Sequence, residues 1–111
     1  MIRVANKRRH VPSANDVYVG RPSALGNRWS SKAWAMAGTV VVATRDEAVD
    51  AFEAWLYAGG ANEPAVQREL QRIARLAREG DVTLICWCAP HRCHAEVIRD
   101  YVEHELLEKG R

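Results

Sequence analysis

The chain has 111 residues and a mass of 12.5 kDa, which against a prior of roughly 150 residues per domain leaves room for one domain, residues 1–111, and no second. Hydrophobic residues at 48% and charged residues at 27% are ordinary for a globular protein and argue against intrinsic disorder. The net charge of +2 is unevenly spread, because residues 1–45 hold eight basic side chains against the single acid Asp16, whereas residues 46–111 hold eight bases against thirteen acids; part of the surface is therefore expected to face an anion.

The opening MIRVANKRRH has no apolar core and does not read as a secretory signal. No apolar stretch reaches the roughly 18 residues of a membrane span. Residues 2–5 alternate and predict a short strand, followed by the basic turn Asn6-Lys7-Arg8-Arg9. Asp16-Val17-Tyr18-Val19-Gly20 predicts a second strand, β-branched and aromatic and stopped by Gly20. Residues 20–38 form a long connection without clear periodicity, and such segments more often carry function than decoration. Within it, Gly20, Ser23, Gly26 and Asn27 would shape backbone around a ligand, while Arg21 and Arg28 would clamp phosphate or carboxylate. The segment is neither a Walker loop nor a dinucleotide fingerprint, so no cofactor is expected from it. Trp29 and Trp34 lie in the same connection, where packing it onto the body is the first expectation and stacking a base the second.

Thr39 to Ala43 is β-rich, and Thr44-Arg45-Asp46-Glu47 reads as a capping box. The helix it opens shows Ala48, Val49, Phe52, Trp55 and Leu56 at helical spacing and ends at Gly59-Gly60. A second helix opens near Asn62 with Pro64 in its first turn, buries Val66, Leu70, Ile73, Ala74 and Ala77, and stops at Gly80. Val82 to Cys88 is apolar on both faces, as a central strand covered on both sides should be. Ala89 to Arg92 is then a turn, and a third helix runs from Cys93 or His94 to about Lys109. The order predicts a small Rossmann-like open α/β sheet with at least one parallel pair. Trp55 and Trp87 are expected in its core.

The segment Cys86-Trp87-Cys88-Ala89-Pro90-His91-Arg92-Cys93-His94 holds three cysteines and two histidines in nine residues. An odd cysteine count without wide spacing predicts reduced thiols in a cytoplasm-like compartment. In open α/β sheets ligands gather at the carboxyl ends of strands, where the next helix presents free N–H groups and a positive dipole end. A thiol at that position has its pKa lowered, which makes Cys93 a candidate nucleophile with His91 or His94 as base. Three other readings stand beside it. Cys86 and Cys88 could be core; Cys93 could cap the helix with Glu96; and the cluster could bind zinc, although Cys-x-Cys-x4-Cys-His lacks the paired knuckles of structural zinc sites. His10 and His104 are expected at the surface.

The strand leading into Gly20-Arg21-Pro22-Ser23-Ala24-Leu25-Gly26-Asn27-Arg28-Trp29, the Thr44-Arg45-Asp46-Glu47-Ala48 helix start and the Cys86 to His94 segment together resemble domain of unknown function family 4326, seen in bacteria and their phages. Arg28 stands where that family usually has proline, and Asn6-Lys7-Arg8 resembles a further family feature. The Cys93-His94 turn is also similar to one in a Rossmann-like family with a Cys-His-Arg signature. Both families lack an assigned reaction, so the resemblance implies fold and site location only. The resulting expectation is a nucleotide or other phosphate-bearing ligand held beside Cys93, with a nucleic-acid module, a phage-type adaptor for a host protein and zinc binding as alternatives.

Overall fold

The computed structural model describes residues 1–32 and 38–108, so Trp34 and Lys109 lie outside it. Its strands are β1 (Ile2–Asn6), β2 (Asp16–Tyr18), β3 (Trp29–Ser30), β4 (Val40–Val41) and β5 (Val82–Cys86). The helices are α1 (Arg45–Tyr57), α2 (Pro64–Glu79) and α3 (His94–Tyr101), with a 3-10 turn at Gly60–Asn62 and a π-type continuation of α3 over Val102–Glu108. β5 is the middle strand of a three-stranded sheet in the order β1-β5-β2, parallel to both neighbours. The fold is thus a small α/β sheet of parallel strands.

The register explains why β5 is so apolar. Ile2 pairs with Val82 and Asn6 with Cys86 on one side, while Val17 pairs with Leu84 on the other. With neighbours along both edges, β5 is the central strand, and Val82, Leu84, Ile85 and Cys86 are all buried. α3 packs on β1 and β5, α2 on β5, and α1 on α3 and β3. One core gathers Val17 and Val19, Phe52 and Leu56, Val66 and Ile73, Leu84 and Ile98.

Two boundaries differ from the sequence reading. β5 ends at Cys86, not Cys88, because its partner β1 ends at Asn6 and the Lys7 amide closes the ladder on the Cys86 carbonyl at 2.8 Å. Trp87 and Cys88 therefore belong to the following turn, and Trp87 is 50% exposed instead of buried. The expected box at Thr44 forms with a shift: Thr44 Oγ1 accepts from the Glu47 amide at 3.1 Å, while the Glu47 carboxylate accepts from the Ala43 amide at 3.1 Å. The long connection also contains a short parallel ladder, Trp29 and Ser30 against Val40 and Val41.

Candidate functional site

The carboxyl ends of β2 and β5 open into one cleft of about 360 Å³. Gly20, Arg21, Asn27, Trp29 and Lys32 reach it from the connection after β2, Arg45 from the start of α1, and Trp87, Cys88, His91, Arg92, Cys93 and His94 from the turn after β5. The two stretches expected to carry chemistry therefore meet across a shared cavity.

The loop after β2 is held from inside. Asn27 is buried; its side-chain amide donates to the Ala48 carbonyl at 3.1 Å, and its Oδ1 accepts from the Trp29 amide at 2.9 Å. The Arg21 guanidinium donates through Nη1 to the Asn27 carbonyl at 2.9 Å and the Trp29 carbonyl at 3.4 Å. Both acceptors are neutral, so the Arg21 charge is not neutralised by them. Gly26 is required by close approach: a Cβ there would stand 3.1 Å from Arg21 Cγ and from the Ser23 carbonyl oxygen. At Gly20 an added Cβ would overlap the Tyr18 ring. That ring is fixed in turn, because the Tyr18 hydroxyl donates to the Arg21 carbonyl at 2.7 Å and accepts from Trp87 Nε1 at 2.9 Å.

Not every residue expected at the site lies there. Ser23, Gly26 and Arg28 line a shallower neighbouring depression with Thr39. Ser23 Oγ is buried and has no hydrogen-bond partner among the described residues. Arg28 turns away to form a two-pronged pair with Glu63 at 2.9 and 3.2 Å and stacks 4.2 Å above the Trp55 ring. Its charge is answered by Glu63, whose carboxyl it holds below the usual range.

The turn after β5 is anchored by Asn6, whose amide nitrogen donates to the Trp87 carbonyl at 3.0 Å and the Ala89 carbonyl at 2.9 Å. The Cys88 carbonyl accepts from the His91 amide at 2.8 Å, which doubles the chain back toward Cys93. Cys93 is the extended residue before α3, and its amide donates to the Glu96 carboxylate at 3.0 Å.

His94 is buried, packed edge-on against Phe52, and its Nε2 lies 2.7 Å from the Val19 carbonyl. A carbonyl can only accept, so Nε2 carries the proton and the Nδ1 lone pair faces Cys93 Sγ at 3.4 Å. Burial pushes the His94 pKa down to about 4, so the ring is neutral at pH 7.

The thiols behave differently from the expectation built on the helix terminus. Cys93 is 1% exposed, and its pKa is raised, first by the neighbouring thiols of Cys86 and Cys88 and then by burial. The same contacts lower Cys86 to about 6 and Cys88 to about 7, because a thiolate accepts the Cys93 proton. Anions at Cys86 and Cys88 repel each other, so the cluster holds one negative charge more readily than two. Arg45 and Arg21 further favour the anion at Cys88, the partly exposed thiol in the cleft. Of the three thiols, Cys88 is the one that is partly exposed, while Cys86 and Cys93 are buried. All three cysteines are free, and among the described residues no group of three or more His, Cys, Asp or Glu is arranged to hold a metal ion.

Arg45, Lys32, Trp87 and Cys88 are site residues that the sequence reading placed elsewhere or left without a role. Arg45 had a signal in its position at the first turn of a helix, but which loop that helix end faces is set only by tertiary packing. No helix among the described residues is long and apolar enough to cross a membrane.

Comparison with curated proteins gives no match, and comparison with solved structures gives none either. A scan of family models matches residues 2–104 to a domain of unknown function, DUF4326, so that the β2 loop, the α1 start and the cysteine turn all fall inside the match and the chain belongs to that family.

Proposed function

We propose that the cleft binds a nucleotide or a related phosphate-bearing metabolite. The observation that carries this reading is the sign of its lining: Arg21, Lys32, Arg45 and Arg92 reach it, and no aspartate or glutamate is among its described lining residues. Arg92 is paired with Asp46 and Asp50 at 3.2 and 2.7 Å. Arg21 and Arg45 form no ion pair among the described residues, so an incoming anion meets two charges without having to displace a carboxylate. A low-dielectric wall of Ala48 and Val49 strengthens that attraction. Trp29 and Trp87 flank the same space and offer ring faces for a base. The volume lies at the lower end of small-molecule sites, which run from about 300 to 1,000 Å³.

Calorimetric titration at low salt against a panel of nucleoside mono- and diphosphates and sugar phosphates tests the reading. The expected result is binding tighter than millimolar that weakens as salt is raised. Arg45→Gln, which removes an exposed charge and no internal hydrogen bond, should cost about 1.5–3 kcal/mol of binding, the range of a charged hydrogen bond. No phosphate ligand binding tighter than millimolar would overturn the proposal. If only oligonucleotides bind, with a steep dependence on salt, the phosphates belong to nucleic acid instead.

A further inference from the structure

We propose that Cys88 and Cys93 are a peroxide-oxidisable dithiol, with Cys88 the thiol attacked from the cleft and Cys93 the one that resolves it. This goes beyond the binding reading and does not depend on it.

Five observations converge on the pair. Cys88 lines the cleft and is partly exposed, whereas Cys86 sits 1% exposed at the end of β5, away from the lining, with its sulfur 3.6 Å from the Ala5 carbonyl. Cys88 and Cys93 line the same cleft, and Cys88 packs against the core cluster that holds Cys93. The His91 amide holds the Cys88 carbonyl at 2.8 Å, a local turn that keeps both residues together without long-range rearrangement. His94 Nδ1 stands 3.4 Å from Cys93 Sγ with its lone pair free, because Val19 fixes the proton on Nε2. Arg21 and Arg45 face Cys88 and favour its thiolate.

The chemistry balances with a hydroperoxide as oxidant. The Cys88 thiolate attacks one peroxide oxygen; an S–O bond forms, the O–O bond breaks, and the departing hydroxide takes a proton to become water. Cys88 is then a sulfenic acid, oxidised by two electrons, and the peroxide is reduced by two. The Cys93 sulfur attacks Cys88 Sγ and gives up its proton to the departing oxygen. An S–S bond forms, the S–O bond breaks, and hydroxide leaves with that proton as a second water. The net change is two thiols and one hydrogen peroxide to one disulfide and two waters, reversed by an external dithiol.

The test treats the full chain with hydrogen peroxide and maps the product without reduction. Trypsin cuts after Arg92, placing Cys86 and Cys88 in one peptide and Cys93 in the next, and fragmentation across Trp87 assigns the linked sulfur. The expected product is one chain lighter by two hydrogen atoms, with Cys88 linked to Cys93, restored by dithiothreitol. In Cys93→Ser, dimedone should capture a sulfenic acid at Cys88; in Cys86→Ser the disulfide should form as before. A link from Cys86, a bond between two chains, or a chain whose thiols all survive would overturn the proposal. The map of the unsubstituted protein decides this even where Cys93→Ser fails to fold.

Discussion

His94 commits its one ring proton to Val19 and faces Cys93 with a lone pair, and this neutral state ties folding to pH. Its folded pKa of about 4 lies below the ordinary 6.5. As pH falls from 6.5 toward 4, the unfolded chain takes up a proton that the folded chain refuses, so stability is full above 6.5 and declines across that window. The shift corresponds to about 3 kcal/mol. Urea midpoints measured from pH 7 to pH 4 should show the decline, and His94→Gln should flatten it; parallel profiles for the two proteins would mean that other groups carry the acid limb. The thiols give a second prediction. Near pH 7, iodoacetamide should label Cys88 first and leave Cys86 and Cys93 slow, as mass spectrometry after timed quenching would show. Equal rates at all three would contradict the assignment. The sequence reading points to Cys93, since helix-terminus reasoning sees only near neighbours in the chain. What reverses the order is contact through space among three sulfurs, together with an Arg45 that lies over forty positions away.

Among the elements, β5 and its turn connect fold to site. Asn6 is the last residue of β1, yet its side chain grips the carbonyls of Trp87 and Ala89 and accepts from the Arg8 amide at 2.9 Å. One residue thus shapes both the basic turn after β1 and the cysteine turn after β5. Asn6→Ala leaves those carbonyls without their donor and should destabilise the fold by about 1–3 kcal/mol. It should also weaken ligand binding more than Thr44→Ala, which removes a helix cap worth about 1 kcal/mol through a side chain bonded to the Glu47 amide, outside the cleft lining. Comparing melting with calorimetry on the two variants separates these effects, and equal losses of affinity would argue against Asn6 as the organiser of the turn. The helices and β5 were legible from periodicity and from their capping residues, including Pro64 at the α2 start and Gly80 at its end. The β3–β4 ladder was not, because two residues per strand carry no period and their pairing depends on how the loop is folded.

Across the whole molecule, the basic character of the first 45 residues divides between two uses. Arg21, Lys32 and Arg45 reach the cleft, while Arg3 meets Asp81 at 3.5 Å and Arg28 meets Glu63. Charge counting along the chain therefore locates the half that supplies most of the cleft's cations but not which of them reach it, since acids from the second half pair with some of them. Arg28 is the discriminating position. Arg28→Gln should leave phosphate affinity within about twofold, because its charge is already answered, and cost at most about 1 kcal/mol of stability, the ceiling for an exposed pair. A loss of affinity matching that of Arg45→Gln, measured in the same titration, would return Arg28 to the site.

The sheet order has a consequence for how the protein is made. Both early strands of the three-stranded sheet pair with β5 and not with each other. During translation neither has a partner until the strand ending at Cys86 leaves the ribosome, and the arginine loop has no cysteine turn to close against. A nascent chain halted after Gly80 would hold α1, α2 and the short β3–β4 ladder but none of the three-stranded sheet, so assembly of the cleft waits on the residues that follow Gly80.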